Sequence, residues 1–223
     1  MERRNTAENK TQSPQFNYFD LFWLFIFGSV AGFLIEGVWS VMRFGGWMNH
    51  SATVWGPFCV VYGAGMVAIY LLARWLAKYP MIVKFALFCL CGALIEFLCG
   101  YLQTLIFHSR SWDYGGAFYG YINLEMTLIW GIMGLICSYG VVPLLDKYFI
   151  GKFSTKAWRG FGVAFTLFML LNFTVTSLAV WRWHARLQGD EAHGWTAHYL
   201  DAHYGDARMV EIFPNMEFQP LDK

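Results

Sequence analysis

Five stretches of this chain run for roughly the thickness of a bilayer with almost no charge. Between Leu21 and Met42 the only charged residue is Glu36, and between Phe85 and Phe107 it is Glu96. The runs Thr53 to Leu72, Met126 to Leu145 and Gly160 to Trp181 hold none. A helix needs about 20 mostly apolar residues to cross the hydrocarbon of a membrane. The spacing therefore predicts five spanning helices, near residues 18–42, 54–77, 81–107, 123–148 and 158–181. The fold class expected is all-α, a polytopic integral membrane bundle. A polar arm (1–17) precedes a transmembrane domain (18–182), and a polar carboxy-terminal tail (183–223) follows it. Only 14% of the chain is charged, against about 25% in soluble domains. The first apolar run exceeds a signal-peptide core and lacks a small-residue cleavage site, so it reads as a retained helix.

The basic residues set an orientation. Arg3, Arg4 and Lys10 lie in the arm, Arg74, Lys78 and Lys84 around the second connection, and Lys147, Lys152, Lys156 and Arg159 around the fourth. With five spans these share one side, which puts the amino terminus in the cytoplasm and the tail outside. Arg182 and Arg186 pull the other way, and four spans with an interfacial fifth helix is the competing topology. The net charge of +1 and the lack of a basic, aromatic-interleaved patch exclude nucleic acid as a partner. Cys59, Cys89, Cys91, Cys99 and Cys137 all lie in apolar runs without ligand spacing, and they read as small core residues rather than a metal site. No cofactor is implied.

Gly32-Phe33-Leu34-Ile35-Glu36 returns sixty residues later as Gly92-Ala93-Leu94-Ile95-Glu96. Each copy is followed by a polar, aromatic loop and then a helix with glycines. This reads as two tandem, parallel helix-hairpin repeats plus one further helix. Gly28, Gly32 and Glu36 lie at spacing four, as do Gly92, Glu96 and Gly100. Stripes of small residues let helices approach closely in lipid, so both carboxylates should face the bundle interior. Ionisable groups at that depth are costly and usually functional. Two carboxylates brought together would share a proton or bind a cation. The alternative is structural: a protonated Glu that bonds a facing helix and fixes packing.

The loops after the first and third helices add polar candidates. Asn49 lies in the first. Asp113, Asn123 and Glu125 lie in or just after the second, and they could converge with Asn49 at the outer interface. Helix capping and an aromatic belt would explain the same residues without a site. His193, His198 and His203 in the tail recur at spacing five, which does not stack on a helix. The tail reads as a short amphipathic or mobile segment.

Taken in order, several motifs carry a resemblance: Leu34-Ile35-Glu36, Asn49, Trp55-Gly56-Pro57-Phe58-Cys59, Tyr62-Gly63, Ile95-Glu96, Trp112-Asp113-Tyr114, Ile122-Asn123-Leu124-Glu125 and Trp130-Gly131. Over about residues 19–145 the chain resembles the bacterial membrane proteins grouped as "putative ABC-transporter type IV". The family's Asn-Arg-Gly is here Asn49-His50-Ser51, and its Pro-Ile-Tyr-Gly is Val60-Val61-Tyr62-Gly63. The fifth helix and the tail fall outside the resemblance. The resemblance implies a permease-like transport component. Ile150-Gly151-Lys152-Phe153-Ser154 lacks the glycine and residue order of a phosphate-cradling loop, so an ATPase would be a separate cytoplasmic subunit. Other partners on this reading are membrane lipid and further copies of the chain. Two other classes stay open. One is a membrane-embedded enzyme using Glu36, Glu96, Asp113 and Glu125 as acid/base groups. The other is a non-catalytic assembly or regulatory protein.

Overall fold

The computed structural model describes residues 16–116 and 118–219. The arm with Arg3, Arg4 and Lys10 thus lies, up to residue 15, outside the described residues. Seven helices follow in order: α1 (Tyr18–Phe44), α2 (Val60–Trp75), α3 (Met81–Phe107), α4 (Leu124–Tyr148), α5 (Lys156–Leu187), α6 (Gly194–His203) and α7 (Asp206–Ile212). A two-residue strand β1 (Ser109–Arg110) pairs antiparallel with β2 (Glu217–Phe218). Four helices, α1, α3, α4 and α5, are long and apolar enough to cross a membrane.

Local chemistry explains the helix ends. Asn17 caps α1 by accepting from the amides of Phe19 and Asp20, and Asp20 returns a bond to the Asn17 amide. The other Asp20 oxygen accepts from the Gly151 amide at 3.0 Å, which ties the α4–α5 connection to the start of α1. Asn123 caps α4 by accepting from the Met126 amide at 2.7 Å. Inside α4, residues Cys137–Val141 form a π-turn just ahead of Pro143. Proline removes a helical bond and crowds the preceding turn, and a wider turn accommodates it.

The first hairpin departs from the expected boundaries. The sequence places the start of the second helix near Val54, opened by Gly56-Pro57. In the structure α2 begins at Val60 and has 16 residues, about 24 Å at 1.5 Å per residue. The stretch from Ser51 to Cys59 is irregular backbone, with Gly56 at φ +83°. Its polar groups are met from inside the protein. Asn172 of α5, fully buried, accepts from the Trp55 amide at 3.2 Å and donates to the Trp55 carbonyl at 2.7 Å. Thr176 accepts from the Val54 amide at 3.0 Å. The Cys59 amide bonds the Ser29 carbonyl in the middle of α1. Buried non-helical backbone is tolerated when neighbouring protein satisfies it in this way.

The tail forms a folded cap instead of a mobile segment. Leu200, Tyr204, Met209, Ile212 and Phe213 bury against Val54 and against Ala179, Val180 and Trp183 of α5. Arg182 and Arg186 both bond Asp201, and Arg186 also bonds Asp206 at 2.7 Å. The tail therefore sits at the same end of the bundle as the α1–α2 and α3–α4 loops.

Candidate functional site

Glu36 and Glu96 stand in matching surroundings. Gly32 lies against the ring of Tyr62, and Gly92 against the ring of Trp130, so closely that a Cβ at either position would overlap the ring. Each ring then turns its polar hydrogen to the carboxylate one turn further along. The Tyr62 hydroxyl donates to Glu36 Oε1 at 2.6 Å, and Trp130 Nε1 donates to Glu96 Oε1 at 3.1 Å. The repeated Gly-x-Leu-Ile-Glu is thus a structural unit: glycine admits an aromatic ring, and glutamate accepts its hydrogen bond. The two units meet, because the rings of Tyr62 and Trp130 lie 6.0 Å apart at 39°.

The two carboxylates differ in what else they touch. Glu96 is 7% exposed, and its Oε2 is buried without a hydrogen-bond partner among the described residues. Glu36 is half-buried and faces the capped end. There His50 Nε2 lies 4.0 Å from Glu36 Oε2, and Asn215 of the tail approaches the same ring nitrogen at 3.4 Å. Tyr114, from the α3–α4 loop, turns its hydroxyl toward this cluster. Burial, then Glu96 and Glu36, hold that hydroxyl well above the usual tyrosine range.

The other four candidates are occupied locally. Asn49 accepts from the Ser51 amide at 2.9 Å. Asp113 is exposed, accepts from the Gly115 amide at 2.7 Å and pairs with Arg110 at 2.8 Å. These bonds, the Gly115 amide first, hold its carboxyl below the usual range. Asn123 caps α4, and Glu125 is exposed in that helix's first turn. Among the described residues no hydrogen bond or ion pair joins these four to one another. Among them, too, no group of three or more His, Cys, Asp or Glu side chains is arranged to hold a metal ion.

Tyr62, Trp130, His50 and Asn215 received no role from sequence. The separation from Glu36 to Tyr62 is 26 residues and from Glu96 to Trp130 is 34. The aromatic partner therefore has no fixed place in the sixty-residue period, because Tyr62 lies in the first turn of α2 whereas Trp130 lies nearly two turns into α4, and Glu96 lies deeper in its helix than Glu36. Asn215 is joined to the cluster only by the folding of the tail.

A protein-family model described as "Putative ABC-transporter type IV" matches residues 23–177. The match takes in both carboxylate hairpins and continues into α5, further than the motifs alone extend; the cap lies beyond it. Comparison with curated proteins and with solved structures gives no match.

Proposed function

Since the chain belongs to the family described as "Putative ABC-transporter type IV", we propose that it is the membrane component of a transport system, a permease-like subunit without its own ATPase, with the Glu36–Glu96 cluster as its polar site. The observation that carries this is the pair of carboxylates inside an apolar bundle, each held by an aromatic donor from a paired helix. Ionisable groups in that setting mark ion and substrate paths more often than they fix packing.

On this reading the chain crosses the cell membrane five times, with the irregular stretch 51–59 completing the crossing that α2 begins. Broken segments of this kind place polar groups at mid-depth in transporters. The amino terminus is cytoplasmic and the cap is outside. Lys147, Lys152, Lys156 and Arg159, all exposed at the end opposite the cap, offer a basic surface to a cytoplasmic ATPase.

The test is purification from the native membrane in mild detergent, followed by an ATP-hydrolysis assay. The chain alone should hydrolyse no ATP, and an ATP-hydrolysing subunit should accompany it. Lys152→Glu with Lys156→Glu should release that subunit. Hydrolysis by the isolated chain, or the absence of any ATPase in the complex, would overturn the reading.

A further inference from the structure

We propose that Glu36 and Glu96 form a proton-binding site, with Glu36 loaded from the capped end through His50. Its role in transport rests on the function proposed above, but the binding itself does not.

The ligand follows from space and charge. Among the described residues no lysine or arginine pairs with either carboxylate. The ionisable groups facing them are His50, Cys59, Tyr62, Cys99 and Tyr114, none permanently cationic. Glu96 would then be left bare in a low dielectric, where an uncompensated ion costs several kcal/mol, with the half-buried Glu36 carboxylate beside it. One positive charge must be bound. Among the described residues Glu96 Oε2 is closed from solvent and within hydrogen-bond reach of no partner, while its Oε1 receives the Trp130 indole hydrogen and the Tyr114 hydroxyl faces the carboxylate. A metal ion needs several oxygen ligands around it. A proton needs one oxygen and no added volume.

The route follows from the His50 ring. Its Nδ1 lies 3.1 Å from the Met48 carbonyl. A carbonyl only accepts, so Nδ1 carries a hydrogen and Nε2 is the nitrogen that exchanges a proton. Neutral Nε2 can accept from Asn215 Nδ2 at 3.4 Å. Protonated Nε2 repels that amide and faces Glu36 Oε2, 4.0 Å away. Passing the proton on breaks N–H, forms O–H on Glu36 and converts an ion pair into two neutral groups. The Tyr62 hydroxyl fixes the accepting carboxyl, and the Tyr62–Trp130 ring contact sets its position relative to Glu96 without carrying a proton.

The experiment is infrared spectroscopy of the purified protein in lipid nanodiscs, titrated with pH, which reads the C=O stretch of protonated carboxyl groups. It needs no substrate and no ATPase, so it can fail while the transport reading stands. The wild type should show a buried carboxyl band that grows as pH falls. Glu96→Gln and Glu36→Gln should each remove part of it. After a pH jump, His50→Gln should slow growth of the Glu36 part and leave the Glu96 part. Tyr62→Phe keeps the ring and should move the Glu36 band, so the proposal stays testable if a Gln variant folds poorly. A band unchanged in both Gln variants would overturn the proposal, as would a titration midpoint that tracks sodium or potassium concentration. Proton uptake by His50→Gln at the wild-type rate would overturn the route.

Discussion

Gly32 and Gly92 decide how near the second helix of each hairpin can come to the first. Their hydrogen atoms make room for aromatic rings that lie at overlap distance from any Cβ, and those rings orient the carboxylates. Gly92→Ala should therefore destabilise the protein by about 1–3 kcal/mol, the usual cost of overpacking, and should loosen the Trp130–Glu96 bond. Gly160→Ala is the control, since it meets nothing within 4 Å, and it should be neutral or slightly stabilising. Thermal unfolding in one detergent compares them, and equal stability of the two variants would contradict the packing. The two glutamates were legible in the sequence because charge in an apolar run stands out, and the glycines because they recur at spacing four. Their aromatic partners were not: Tyr62-Gly63 and Trp130-Gly131 stand out as motifs of the resemblance, but nothing local pairs them with the carboxylates in a chain that is 20% aromatic. At this scale Asp201 also titrates. The Arg182 bond, with Arg186 beside it, lowers its carboxyl from the ordinary 3.8 to about 2. A folded value below the unfolded one stabilises the cap fully above about pH 4, and that contribution is lost as pH falls toward 2. Hydrogen exchange over residues 200–212 should rise in that window, and Asp201→Asn should show the rise already at neutral pH. Acid-insensitive exchange would count against the network.

Among the elements, the second helix departs most from its sequence. An uncharged run from Thr53 to Leu72 reads as one helix, yet the helix begins only at Val60. Proline suits a first turn, so Gly56-Pro57 has the pattern of a helix opening. Here it belongs to an irregular stretch held by another element. The satisfaction of that backbone by Asn172 and Thr176 lies more than one hundred residues away, where no local pattern can signal it. Both α5 residues look like ordinary polar interruptions of an apolar helix. Asn172→Leu should leave the Trp55 amide unpaired, at about 1–3 kcal/mol for a buried group, and its carbonyl with the Thr53 hydroxyl alone. Thr176→Val, close in shape, should lose the Val54 bond alone and cost less. Thr174→Val, exposed and bonded only within its own helix, should change little. Chemical or thermal unfolding of the three variants gives the order, and a stable Asn172→Leu protein would mean that the stretch is held by other contacts.

For the whole molecule, the cap converts a question of charge into one of geometry. In the sequence, Arg182 and Arg186 argue against an outside tail. In the structure, the strand pair Ser109↔Phe218 and Arg110↔Glu217 and the His50–Asn215 approach hold the tail to both loops at one end of the bundle. The loop after α1, the loop after α3 and the tail must then share a side, whatever that side is. The bias of lysines supplies the second half of the argument. Lys78, Lys84, Lys147, Lys152 and Lys156 all belong to the opposite end, and basic residues in short connections stay in the cytoplasm. In a protein whose five native cysteines are replaced, single cysteines at Gly46 and Glu211 should react with an impermeant reagent from outside intact cells. Cysteines at Lys78 and Lys152 should react only after permeabilisation. Gly46 meets no neighbour within 4 Å and Glu211 is exposed on the cap, so neither label should disturb folding. If all four labels are reversed, the orientation is wrong and the geometry survives. Opposite sidedness at Gly46 and Glu211 cannot be reconciled with the cap, because a tail on the far side could reach neither β1 nor His50.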